Sequence, residues 1–310
     1  MLIVAWTAGF IATLGLASCS NVSTRPASSG EAAYTAAIED WRERRDAGLR
    51  SPDGWLTLVG LDWLQPGANT IGSGSDNRIR LPGGPQAWGS VVLDGDSLRF
   101  EPAPGVPLTI DGEPLEVMLA KAVGGSVPLV ADNAGDPTVV ASGTLSFHVI
   151  FRESYALRVQ DSEAETRTGF RGVPTYPIAP DWRIDARFEP APSGTTIDIG
   201  DVLGHVTANP VFGTIEFERE GRVHHLVGVG EADSDSLWFI FADRTSGHET
   251  YGAGRFVYSD GMPREGHLVV DFNKAYNPPC VFTEYSTCPL PPQANRLDLA
   301  VRAGEKDYHP

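Results

Sequence analysis

From Pro52 onward the chain is a succession of short apolar runs cut by Gly, Pro, Asn and Asp. Examples are Trp55-Leu56-Thr57-Leu58-Val59, Asn69-Thr70-Ile71, Ser90-Val91-Val92-Leu93 and Ser97-Leu98-Arg99-Phe100. Turn signals separate them at Gln65-Pro66-Gly67, Pro82-Gly83-Gly84 and Asp94-Gly95-Asp96. Runs of this length with such punctuation predict antiparallel strands. Farther on, Arg183-Ile184-Asp185-Ala186-Arg187-Phe188 alternates strictly, so one face of that strand is buried and the other wet. No βαβ spacing and no periodic repeat occurs. The pattern predicts a mainly β protein: a small β-sandwich, then a larger antiparallel β-sandwich or open barrel, divided somewhere in residues 124–136.

The segment before Pro52 reads differently. Tyr34, Ile38 and Trp41 recur at i, i+4 and i+7 among charged residues, which predicts an amphipathic helix ending near Gly48. Its apolar stripe is expected to pack on the body behind it. Earlier still, no charged residue precedes Arg25, and residues 1–16 are almost wholly apolar or small. Such a run suits a secretion signal or a short membrane anchor. Its ending, Leu16-Ala17-Ser18-Cys19-Ser20, resembles the lipobox of bacterial lipoproteins. That resemblance implies a signal peptide over 1–18, lipid on Cys19, and a flexible tether over 19–32. With Ser20 after the Cys it also implies an outer-membrane lipoprotein facing the periplasm, touching the membrane only through its anchor.

Charge narrows the partners. Among 310 residues, 40 Asp and Glu stand against 24 Lys and Arg, a net charge of −16. Such a surface repels phosphate backbones, so nucleic acid is excluded as a partner class.

Residues 33–123 hold, in order, Pro66-Gly67, Ile71-Gly72-Ser73, Asn77, Ile79, Leu81 and Ile110-Asp111-Gly112. This order resembles a forkhead-associated (FHA) domain and implies that fold's small β-sandwich. The phosphothreonine-reading residues of that family are missing: Ser73 stands where an Arg is needed, and Gln86-Ala87-Trp88 offers neither Ser nor His. The shape is implied without the phosphopeptide function.

Motifs for common chemistries are absent. No Gly-x-Ser-x-Gly elbow occurs, and His248-Glu249 lacks the second His of a zinc-protease helix. Gly72-Ser73-Gly74 and Gly252-Ala253-Gly254 lack the third glycine of a dinucleotide loop. No cofactor is implied and no metal is assigned.

The region from Phe241 to Lys306 is denser in polar chemistry. It contains Asn277-Pro278-Pro279-Cys280 and Cys288-Pro289-Leu290-Pro291-Pro292. These strings, with Gly54-Trp55-Leu56 to Trp63-Leu64 and the 170–176 stretch, resemble the DUF1684 family. The resemblance covers nearly all of the mature chain, with its C-terminal signature in the domain over 124–310. The family has no assigned activity, so no reaction follows from it.

Read physically, Asp271, Asn273, Tyr276 and Asn277 cluster at a strand end and a proline-stiffened turn, with Asp243, Tyr251, Arg255, Glu305 and Lys306 as companions. This set suits a small polar molecule or an envelope component. The same groups could instead cap turns and pair internally. A hydrolase using Asp243 or Asp271 as general base is the alternative, and would need a carboxyl pKa raised by burial or by a like charge. Cys280 and Cys288, left over once Cys19 carries lipid, are expected to form a disulfide in an oxidising compartment. The loop they would close is short, worth about 2.6 kcal/mol by loop entropy. A zinc site with His248 and Asp243, or a nucleophilic Cys280, are the other readings of that pair.

Overall fold

The computed structural model describes residues 29–121 and 124–309. Cys19, the lipobox and most of the expected tether lie outside the described residues. Helix α1 (Ser29–Leu49) begins inside the last stretch of that tether and ends, as its sequence predicts, at the Gly48-Leu49 turn. None of the described helices is long and apolar enough to cross a membrane.

Two β-bodies follow. The first comprises β1 (Leu58–Trp63), β2 (Gly67–Gly72), β3 (Ile79–Arg80), β4 (Gly89–Asp94), β5 (Ser97–Pro102), β6 (Thr109–Ile110), β7 (Glu113–Pro114), helix α2 (Leu115–Lys121), β8 (Val127–Pro128), β9 (Val140–Ser142), β10 (Leu145–Arg152) and β11 (Ser154–Asp161). Its strands make a sheet ordered β1-β11-β10-β9-β6-β7 and a second ordered β3-β2-β4-β5-β8. Pairing is antiparallel except between β2 and β3. Between the sheets lies one core, with Ile71, Trp88, Val91 and Phe100 facing Phe147, Val149, Leu157 and Val159. This core reaches Val159, so the first body continues past residues 124–136, where the sequence placed the division. The strands that carry it across, β8 and β9, are only two and three residues long. They are too short to show a periodicity.

The second body comprises β12 (Arg183–Pro190), β13 (Thr196–Gly200), β14 (Val206–Arg219), β15 (Arg222–Val229), β16 (Trp238–Phe241), β17 (Arg255–Tyr258) and β18 (His267–Asp271). Their order is β17-β16-β15-β14-β12-β18, with β13 added to β14. An isolated bridge from Ser259 to Val270 brings the two ends of this sheet together, so it curls into a half-barrel. Alternation in β12 holds as read: Ala186 and Phe188 are buried in a core with Ile215, Phe217, Leu226, Phe239 and Phe272. After β18 the described residues hold no more strands. Residues 272–308 wrap the half-barrel in short 3-10 turns, and Leu297, Leu299, Val301 and Ala303 dip into the same core.

Helix α1 braces the second body. Tyr34 donates to Asp271 at 2.9 Å, Arg42 to the Tyr176 carbonyl at 3.0 Å, and Arg45 to Glu305 at 3.1 Å. Leu49, at the helix end, joins Leu56, Phe170, Phe282 and Tyr308 in a small core where helix, first body and C-terminal wrap meet.

Candidate functional site

The polar residues singled out in the C-terminal region come together, and most of them face inward. Arg255 opens β17 with its side chain fully removed from solvent, paired with Asp243 at 2.9 Å. Its Nη1 donates to the Ala303 and Glu305 carbonyls at 2.6 and 3.0 Å, and Nη2 to the Val301 carbonyl at 2.8 Å. Asp243 sits in the turn after β16. Its Oδ1 accepts from the Thr245 amide and hydroxyl at 2.7 and 2.6 Å, and from the Val301 amide at 3.3 Å. The pair therefore straps the C-terminal wrap onto the half-barrel. Gly304 lets that wrap lie close: its φ is +77°, and a Cβ there would stand 2.3 Å from the Ala275 carbonyl oxygen.

A second knot forms at the end of β18. Asp271 caps the turn at Phe272–Lys274, its Oδ1 accepting from the Asn273 amide at 3.0 Å. Asn273 accepts from the Ala179 amide at 2.9 Å and donates to the Ala179 carbonyl at 2.8 Å and the Tyr34 hydroxyl at 2.9 Å. Burial, and then the Asp271 hydrogen bond, push the Tyr34 phenol well above its ordinary range. With these bonds Asp243 and Asp271 are occupied by turn amides, hydroxyls and one guanidinium. Neither carboxylate faces a cavity as a free base would.

The third knot reaches solvent. Glu305, 2% exposed, accepts from the Asn277 amide at 2.6 Å and from Arg45 Nε at 3.1 Å, and burial raises its carboxyl above the usual range. Asn277 donates to the Lys306 carbonyl at 2.7 Å, and its buried Oδ1 has no partner. The Tyr276 ring lies under the Arg45 guanidinium at 4.9 Å, and burial raises its phenol strongly. Lys306 lies over the Tyr176 ring at 5.0 Å. Tyr251 is half-buried beyond this cluster, its phenol also raised by burial. Glu305 lines a recess of about 200 Å³ with Arg42, Glu43, Arg45, Asp46, Val173 and Thr175. Burial lowers the Arg42 pKa, and its Nε is buried without a partner.

The expected disulfide is not formed: Cys280 and Cys288 are free thiols. The loop does bring them into contact, but the Ser286 hydroxyl stands against both sulfurs, at 3.1 Å from Cys280 and 3.6 Å from Cys288. The Cys280 amide donates to the Cys288 sulfur at 3.0 Å. Hydrogen bonding from Cys288, helped by Ser286, pulls the Cys280 thiol down to about 6, while Cys288 moves the opposite way. Among the described residues no three of His, Cys, Asp and Glu converge as metal ligands would. His248 therefore does not complete a zinc set with the cysteines.

The sequence reading missed Tyr34, Arg42 and Arg45. A signal was present, since Tyr34, Ile38, Trp41 and Arg45 fall on one helical stripe. Polar members of an otherwise apolar stripe point at whatever the stripe packs against.

Comparison with known proteins adds a family without an activity. Residues 168–306 match the family model described as "Protein of unknown function (DUF1684)", just under half of the chain. That span is the half-barrel and its wrap; it holds the whole first knot, while Tyr34, Arg42 and Arg45 of the other two lie outside it. No curated protein matches. A solution NMR structure of an uncharacterised protein from gene locus rrnAC0354 of Haloarcula marismortui is similar at 28% identity. The match covers 45% of this chain and 78% of that one, with a TM-score of 0.38.

Proposed function

We propose that this DUF1684-containing chain is a binding protein of the cell envelope. In this reading it is held to the outer membrane by lipid on Cys19 and takes a small zwitterionic molecule in the recess between α1 and Glu305. The observation that carries the reading is the mixed charge of that recess. The Arg42 Nε is buried there without a partner, beside a buried Glu305 and below Glu43 and Asp46. A carboxylate would complete Arg42, because a buried donor left unmade is costly. An ammonium would meet the acidic residues. At about 200 Å³ the recess holds about six waters' worth of volume, so the ligand has the size of a small amino acid.

Hydrolysis is the weaker reading of the same residues. The bases it would use, Asp243 and Asp271, each accept several internal hydrogen bonds and offer no lone pair to a water in a cleft.

The test is a thermal-shift panel of L-amino acids on the full chain and on Arg42→Gln. The expected result is a rise in midpoint with at least one small amino acid, lost in Arg42→Gln and kept in the remote surface control Arg222→Gln. No shift, or one indifferent to Arg42, would reject the site.

A further inference from the structure

The first body holds a buried arginine that makes no hydrogen bond or ion pair among the described residues. Arg158 lies on β11, an interior strand flanked by β1 and β10. Successive side chains alternate across a strand. Leu157 and Val159 enter the sandwich core, and Arg158 and Gln160 therefore occupy the opposite face. There Arg158 is 6% exposed, and its Nε is buried without a hydrogen bond. Among the described residues no carboxylate stands within ion-pair reach of it. Its neighbour is the Trp55 ring, whose centroid is 5.3 Å from Cζ. Asp132, whose charge acts on Arg158, already pairs with Arg152 at 2.9 Å and accepts from the Phe151 amide at 2.8 Å. Burial, and then the like charge of Arg152, press the guanidinium pKa down to about 10.

A cavity of about 240 Å³ opens over this face, lined by Asp53, Trp55, Leu58, His148, Arg158 and Gln160. His148 sits directly across from Arg158 in the β10–β11 register. Burial first, then Arg158, drive its pKa down to about 4, so it is a neutral imidazole at pH 7. Gln160 acts against that fall. The Gln160 amide is itself held by the Asp53 carbonyl at 2.9 Å and Thr57 Oγ1 at 3.1 Å. Asp53 is exposed and takes a hydrogen bond from Ser51. The positive charge facing the cavity is thus a single guanidinium. Trp55 and Leu58 supply an apolar wall.

We propose that this cavity is a binding site for a small organic carboxylate carrying a short apolar or aromatic tail, its head on Arg158 and its tail along Trp55 and Leu58. The proposal goes beyond the α1 recess and does not depend on it. A buried unpaired charge is a standing cost that a ligand's opposite charge removes. The planar fork of an arginine matches a carboxylate's two oxygens. A phosphate would want more donors than one guanidinium, and the Gln160 amide is already engaged with Asp53 and Thr57. The volume lies below the range of about 300–1,000 Å³ that takes drug-sized ligands, which limits the tail to one ring or a short chain.

The experiment is isothermal titration of the full chain with sodium benzoate, with acetate and inorganic phosphate as parallel probes. Benzoate is expected to bind with a millimolar or tighter dissociation constant. Arg158→Leu should weaken it by about tenfold to a hundredfold, the worth of a hydrogen-bonded charge contact. Arg158→Lys keeps the charge without the fork and should fall between the two. Trp55→Ala should weaken benzoate while leaving acetate unchanged. Circular dichroism on each variant separates lost binding from lost fold. Absence of benzoate heat, or equal affinity in folded Arg158→Leu, would overturn the site. Phosphate binding tighter than benzoate would overturn the assignment to carboxylates.

Discussion

Arg255 and Arg158 are removed from solvent almost equally, at 0% and 6% exposure, and each lies on a strand of its own β-body. Around Arg255 the protein supplies a carboxylate and three backbone carbonyls. Around Arg158 it supplies one tryptophan face and a cavity. Only Nε of Arg255 is left without a partner, and two terminal nitrogens filled from within are the sign of an architectural role. The carbonyl partners of Arg255 lie in residues 301–305, so its charge converts an irregular C-terminal tail into the cover of a half-barrel. An unsatisfied buried charge in an otherwise ordinary sheet is the opposite sign, because folding gains nothing from it and something else must. The region densest in functional-looking residues is the better explained structurally. The one overlooked within an apolar run is the better candidate for a ligand.

The comparison can be broken most forcefully at the Arg255 end. Asp243→Asn leaves Arg255 buried without its counter-charge and should destabilise the fold by about 3–5 kcal/mol, the cost typical of breaking a buried pair. Urea unfolding measures it. A loss below about 1 kcal/mol would mean that the carbonyl partners suffice and that the carboxylate has another use.

A smaller effect sharpens the other end. His148 has a folded pKa of about 4 against an ordinary 6.5. Between those values the unfolded chain binds a proton that the folded chain refuses. This part of the stability is complete above pH 6.5 and is lost as pH falls toward 4, for on the order of 2–3 kcal/mol. His148→Gln should flatten that limb of the midpoint-against-pH curve relative to the parent. An unchanged slope would place His148 in contact with water and open the cavity wider than described.

How much of this was legible in the sequence varies by element. The strict alternation of 183–188 became β12, and the Tyr34-Ile38-Trp41 stripe became α1. The division between bodies was not legible, because β6, β8 and β9 are two or three residues long and carry no period. Membership of the C-terminal patch was legible and its character was not. Arg255 is satisfied by carbonyls 46 to 50 positions away, and sequence composition does not show backbone acceptors. Arg158 was hidden for the reverse reason: within Ala156-Leu157-Arg158-Val159 it reads as the wet side of a strand, whereas that side is covered. The cysteines illustrate the same limit, since their spacing shows neither the Ser286 hydroxyl beside both sulfurs nor the Cys280 amide on Cys288.

The most direct test of the central claim is the urea unfolding of Arg158→Leu without added ligand. If Arg158 is kept for a ligand and gives the fold nothing, replacing it by an apolar side chain should leave the unfolding free energy unchanged or raise it by about 1 kcal/mol or more. A loss of about 2 kcal/mol or more would show Arg158 holding the sheet together as Arg255 holds the tail, and would contradict the distinction between them.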